Sequence, residues 1–131
     1  MVKVAASATG AKFYEISMST LLKKHIGEGE AAVALLFNMA KLDERAIIFF
    51  DEGEQFLGKR DTGKDNNNTA GITSAIMMEM QQLTRRDKVM VVVATNAPWN
   101  IDNGVHSRIS KSIYVPLPGK LFIITYIVGI T

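Results

Sequence analysis

The run Ile47-Ile48-Phe49-Phe50-Asp51-Glu52 constrains this chain more than any other stretch. Four large apolar residues in succession leave no polar side to turn towards water. Together with Ala46 they read as a short strand covered on both faces, ending in two carboxylates. The run Val89-Met90-Val91-Val92-Val93, inside a strand expected over Lys88–Ala94, has the same character. Strands of this kind belong in a parallel sheet with helices on each side, because sheets solvated on one face alternate apolar and polar residues instead.

The segments between the runs carry the expected helices. Val33, Leu36, Phe37 and Ala40 recur at helical period within Glu30–Lys41, and Ala75, Ile76, Met78, Met80 and Leu83 suit a helix over about 70–83. Residues 2–9 are Ala-rich and read as helix, with Gly10 as the stop. Phe13-Tyr14-Glu15-Ile16-Ser17 reads as a strand, Leu21–Glu30 as a short helix running into a loop, and Ile113-Tyr114-Val115 as a last strand before Pro116. Strands alternating with helices predict an α/β domain with a parallel sheet. Gly58–Asn68 is polar and glycine-containing, which predicts a mobile loop.

Composition narrows the function classes. The chain has 131 residues, 47% hydrophobic and 21% charged, enough for one folded domain with a real core. A net charge of +2 gives no electrostatic footprint for nucleic acid or an anionic membrane. The absence of cysteine excludes disulfides and thiolate metal sites and favours an intracellular setting. His25 and His106 are the only histidines, too few for a histidine-rich metal centre. Leu121–Thr131 carries no charge; its eleven residues are short of the roughly 20 that cross a bilayer as a helix, so a buried strand is the simplest reading. The alternative is that this tail does not belong to the fold.

Two carboxylates at the C-terminal end of a buried strand sit where ligands of α/β sheets bind. In nucleotide hydrolases the first such acid holds a magnesium shell and the second polarises the attacking water, which assigns those roles to Asp51 and Glu52. Asn96, closing the strand in Ala94-Thr95-Asn96, can orient that water or touch a terminal phosphate, although asparagine after a strand is also a common turn residue. Arg108 suits charge stabilisation on a transferring phosphoryl group, although an arginine by itself is usually a surface residue. Gly58-Lys59-Arg60-Asp61-Thr62-Gly63-Lys64-Asp65 imitates a phosphate loop but ends in Asp65, where a hydroxyl should ligate magnesium, and it does not spring directly from a strand. It reads as a solvated loop.

With these residues in order, residues 3–118 resemble the AAA+ ATPases of the meiotic clade: katanin, spastin, fidgetin and the vacuolar protein sorting four ATPase. Phe13–Ser17 matches the family's second strand, Ile47–Glu52 its Walker B run, and Ala94-Thr95-Asn96 its sensor 1. Lys24-His25-Ile26-Gly27 looks like the first pore loop. Asn96–Asp102 and Ile113–Pro118 are similar to segments of katanin and the vacuolar sorting ATPase, while Glu79–Leu83 fits the latter. The resemblance implies ATP and Mg2+ as cofactors, with Asp51 holding the metal through water and Asn96 contacting the nucleotide. It implies a hexamer in which Arg108 reaches the neighbouring subunit's nucleotide and Lys24, His25 and Ile26 grip a protein substrate. Substrates of ESCRT-III type or microtubules follow, in the cytoplasm, on endosomal membranes or on microtubules, with membranes met only indirectly.

The sequence also departs from the family. Ser107 and Arg108 fall where the family carries two arginines, His25 replaces an aromatic pore residue, and basic residues are absent around Thr69–Ile72. Glu54 stands where an aspartate is usual, with Gly53 before it. The family's first strand and phosphate loop would precede Lys3, and its helical lid would follow Pro118. The expectation is therefore a partial P-loop NTPase three-layer sandwich over residues 1–118, truncated and inactive alone, with an apolar tail, 119–131, of separate origin. The absent strand would leave a gap in mid-sheet beside the sensor 1 strand. A catalytically dead remnant or interaction module is the alternative function.

Overall fold

The computed structural model describes residues 2–25, 27–58, 67–116 and 122–129. Among these, the elements run α1 (Val2–Thr9), β1 (Lys12–Ile16), α2 (Met18–Leu22), α3 (Glu28–Leu42), β2 (Ala46–Phe50), α4 (Gly53–Leu57), α5 (Asn67–Gln82), β3 (Val89–Thr95), α6 (Asn103–His106), β4 (Lys111–Pro116) and β5 (Phe122–Gly129). Single 3-10 turns at Arg85–Asp87 and Pro98–Asn100 flank β3.

The five strands form one sheet in the order β1-β2-β3-β5-β4. β1 and β2 run parallel from Lys12↔Ala46 to Ile16↔Phe50, and β2 and β3 run parallel from Ala46↔Val89 to Phe50↔Val93. β5 is antiparallel to β3, from Met90↔Gly129 to Thr95↔Ile124, and antiparallel to β4, from Lys111↔Ile127 to Pro116↔Phe122. β4 therefore points the same way as β1, β2 and β3, and β5 alone is reversed.

Burial on both faces of the central strands is what the apolar runs demanded. Ile48, Phe50, Val91 and Val93 lie in one core with Leu21 of α2, Val33 and Phe37 of α3, Phe56 of α4, and Ile72 and Ile76 of α5. Phe50 meets Phe56 edge to face, with centroids 5.2 Å apart. On the opposite face Ile47 and Val92 cluster with Ala6 of α1, flanked by Phe13 and Phe49. Each such side chain, fully withdrawn from water, contributes about 1.5–3 kcal/mol before entropy is charged against it. The result is a three-layer α/β/α arrangement. α1 ends at Gly10, whose φ of +68° is a left-handed conformation that glycine adopts without strain.

Several boundaries move. β1 is Lys12–Ile16, one residue earlier than expected, and β3 is Val89–Thr95, one residue later. The segment expected as a helix from Leu21 holds α2 earlier, at Met18–Leu22, and α3 begins at Glu28. α5 starts at Asn67 and ends at Gln82, and β4 extends to Lys111–Pro116. Most of the polar loop, residues 59–66, lies outside the described residues, as does Ile26. β1, β2 and β3 form the expected parallel α/β sheet, and the sheet departs from the expectation only beyond β3. It is mixed rather than wholly parallel, and no gap opens beside β3, because residues 122–129 of the apolar tail pair with β3 and β4 at once. A strand paired along both edges is interior to the sheet, the position in which nearly continuous apolar runs are usual.

Candidate functional site

β2 delivers the acid pair. Phe50 is fully buried, and the chain then leaves the sheet at Asp51 and Glu52, both exposed. The turn is tight. Glu52 sits at φ 53°, ψ 51°, a left-handed conformation that typically costs a non-glycine residue about 1–3 kcal/mol and persists only where its surroundings impose it. Those surroundings are Gly53 and β3. A Cβ on Gly53 would collide with Cγ1 of Val93 and lie 3.1 Å from the carbonyl oxygen of Ala94. Glycine at this position lets the start of α4 lie directly on β3, and the left-handed Glu52 makes the preceding bend.

Polar contacts fix the turn. The Glu52 amide donates to Asp51 Oδ1 at 3.0 Å, the Gln55 amide donates to the Glu52 carbonyl at 2.9 Å, and Gln55 Nε2 donates to Glu52 Oε2. One β-strand away, Thr95 closes β3. Its side chain is 2% exposed, a buried hydroxyl that must find partners. Oγ1 donates to Glu54 Oε2 and accepts from the Ala97 amide at 3.0 Å. Asn96, between the two, projects into solvent. The parallel register Phe50↔Val93 brings both strand ends to the same edge of the sheet, so Asp51, Glu52 and Asn96 occupy neighbouring tips.

Beside the acid pair, on the β1 side, a cleft of about 640 Å³ is lined by Asp51, Glu52, Glu15, the hydroxyls of Ser17, Ser19 and Thr20, and an apolar floor that includes Leu21 and Val33. Lys24, His25, Asn96 and Arg108 do not line it. Lys24 and His25 lie exposed between α2 and α3, where the His25 amide donates to Glu28 Oε2 at 3.2 Å. Arg108 is half-buried and folded inward: Nη1 donates to the Gly104 carbonyl. With the Gln81 amide turned to present its oxygen, Arg108 also donates Nε to it at 3.1 Å, and Nη2 as well. Gln81 lines a second cleft, of about 690 Å³, with Glu30, Thr73, Met77 and Asp102. Of the residues singled out in the sequence, the fold thus brings Asp51, Glu52 and Asn96 to one edge, and places Lys24, His25 and Arg108 elsewhere.

The donor chemistry at that edge is carboxylate and carboxamide oxygen, which suits a hard divalent cation. Among the described residues no cluster of three or more His, Asp or Glu side chains could enclose a metal ion. Mg2+ does not require such a cage: it is commonly held by one or two carboxylates, waters and the phosphates of its own nucleotide. An exposed Asp51–Glu52 pair fits that mode. Two ionisable groups outside this edge carry shifted pKa values. The Tyr14 phenol is raised by its 2.6 Å hydrogen bond to Asp43, and Asp87 is lowered chiefly by the backbone N–H of Thr84.

Sequence reasoning passed over Gly53, Gln55, Thr95 and Gln81 as site-forming residues. Thr95 carried a readable signal, a hydroxyl closing an apolar strand. The other three are defined by contacts across the fold.

The fold and this edge define an α/β protein with acids and a carboxamide on adjacent strand tips, an arrangement suited to phosphoryl-transfer chemistry. The family model described as ATPase family associated with various cellular activities (AAA) matches residues 1–117, and the chain belongs to that family. It is 35% identical over 125 residues to the A-like 1 form of the katanin p60 ATPase-containing subunit of Danio rerio, covering 90% of this chain and 26% of that protein. It is 34% identical over 125 residues to the A1 form of the same katanin subunit from Strongylocentrotus purpuratus, with 90% and 24% covered. It is 35% identical over 119 residues to Protein SUPPRESSOR OF K(+) TRANSPORT GROWTH DEFECT 1 of Arabidopsis thaliana, with 90% and 27% covered. The chain spans about a quarter of the length of these curated relatives.

Proposed function

We propose that these residues form the hydrolytic edge of an AAA ATPase that remodels protein assemblies. The observation that carries this reading is the convergence of Asp51, Glu52 and Asn96 on neighbouring parallel strand tips. Asp51 would hold Mg2+ through water, Glu52 would take the proton of the attacking water, and Asn96 would orient that water or the terminal phosphate. Bound Mg2+ supplies charge neutralisation along the phosphates. Arg108 serves a neighbouring subunit's nucleotide in a ring of six; to do so it must leave Gly104 and Gln81, which now occupy it. Lys24, His25 and Ile26 contact the protein substrate. The katanin relatives favour microtubules as that substrate and the cytoplasm as the compartment, with ESCRT-III-type polymers at endosomal membranes as the other family option. Residues 1–118 are the AAA unit in this reading, and 119–131 an addition to it.

β5 favours a second reading, a module that docks on full-length subunits without turnover. It lies beside β3 running against the other strands, so the start of β5, rather than the C-terminal end of a parallel strand, meets the edge next to Asn96. Titrating the purified chain with Mg2+-ATP separates the two. Submillimolar affinity with turnover supports the first reading, and Glu52→Gln should then keep binding while turnover falls by about 10²–10⁴-fold. Absence of binding up to several millimolar supports the second.

A further inference from the structure

Glu54 and Thr95 have no part in the chemistry assigned above, yet they join the two strand tips that carry it. Glu54 is in the first turn of α4, two residues after Glu52. Its carboxylate accepts from Thr95 Oγ1, and that hydroxyl oxygen accepts in turn from the Ala97 amide, so Asn96 is bracketed by two groups tied to one hydroxyl. Thr95 is the buried polar residue of the described core, at 2% exposure. A hydroxyl so placed has one proton to give and one amide to receive, and both are committed here. The Ala97 N–H decides the direction of this relay: it can only donate, so the threonine turns a lone pair to it and its one proton to Glu54. A contact so near the αL turn at Glu52 transmits the position of that turn to β3.

We propose that Glu54 is a positioning residue, which through Thr95 fixes the β3 tip and Asn96 against the turn bearing Asp51 and Glu52. In this role it acts through Thr95, the partner of its carboxylate, and not on the reacting groups. The purpose assigned to it rests on the ATPase reading, but the geometry does not require nucleotide to be tested.

The test uses the 131-residue chain and nuclear magnetic resonance, following amide exchange at Ala97 and the backbone and side-chain amide signals of Asn96. Thr95→Val keeps the shape and removes the hydroxyl; Ala97 exchange should quicken about 10-fold, the worth of one hydrogen bond. Thr95→Ser should restore it. Glu54→Ala should shift the Asn96 signals although no hydrogen bond joins the two side chains, whereas Glu54→Gln, which still offers an oxygen, should leave them near their original positions. Glu54→Asp, one methylene short, reports the same quantities if the alanine variant does not fold. A merely structural role would lower the melting temperature of these variants and leave Ala97 and Asn96 unmoved, and that outcome overturns the proposal. Failure of the chain to bind Mg2+-ATP would count against the ATPase reading alone, because these signals are read without nucleotide.

Discussion

The close approach of α4 to β3 can be measured as a coupling energy. Gly53→Ala introduces one methyl group where Val93 Cγ1 already stands, with the Ala94 carbonyl oxygen 3.1 Å away. Val93 is 1% exposed and Gly53 is buried, so neither can move aside into solvent. Overpacking of this kind costs about 1–3 kcal/mol, and the backbone carbonyl places the expected value in the upper half of that range. Val93→Ala removes two carbons from a closed core, which costs about 2–3 kcal/mol from transfer and cavity together. In the double variant the new methyl enters the room that the valine vacated. The clash then largely disappears, and the ordinary benefit of replacing glycine, about 0.4–1 kcal/mol through the unfolded chain, becomes visible. Gly53→Ala should therefore be close to neutral in the Val93→Ala background, giving a coupling of about 2 kcal/mol. Urea unfolding of the four proteins, with slopes compared to confirm a common unfolded state, reads this directly. Strict additivity within about 0.5 kcal/mol would mean that the two residues do not share the space, and the account of the Glu52 turn would fall with it.

Three further outcomes follow from the structure. Thr125→Pro removes a backbone donor from a strand paired on both sides, opposite Ala94 and Ile113, and should cost at least about 1–3 kcal/mol in denaturant unfolding; a neutral result would contradict the central position of β5. Asp87 caps the 3-10 turn at Arg85–Asp87 by accepting from the Thr84 amide at 2.6 Å, and its pKa is lowered on folding. Its contribution is thus present above the unfolded value near 4 and lost as pH falls through the lower folded value, so Asp87→Asn should flatten the acid limb of a stability–pH curve there, by at most about 1 kcal/mol for so exposed a cap. Within the ATPase reading, Glu52→Gln separates binding from turnover, as measured by nucleotide titration alongside phosphate release.

Residues whose own sequence context sets their structure were legible in advance. Ala46–Phe50 is a strand at its expected bounds, because five apolar residues between charged neighbours admit few alternatives. α3 announced itself through Val33, Phe37 and Ala40, all buried. Asp51, Glu52 and Asn96 were placed at one edge because strand ends in a parallel sheet share it. What the sequence did not carry was partnership. The uncharged tail pointed to a buried strand but not to which strands it joins or in which direction, since pairing is decided by the edges left open elsewhere. Gly53 looked like an ordinary glycine until Val93, forty residues on, closed over it. The family resemblance implies an outward reach for Arg108, and only Gly104 and Gln81 together explain why it folds inward.

The position of β5 also dictates an order of assembly. β1, β2 and β3 can pair as they occur, but among the described residues β4 has no neighbour in the sheet except β5. β4 and β5 are adjacent in sequence and pair locally, whereas β3 and β5 pair across roughly 30–40 residues, a longer loop that closes later. The molecule should thus mature as two pieces, a parallel three-stranded unit and a two-stranded one, joined last along β3. Until that seam closes, Val91, Val92 and Val93 present an unpaired apolar edge, the kind of surface on which nascent chains adhere to one another. For this protein the hazardous interval in folding is the wait for its latest strand.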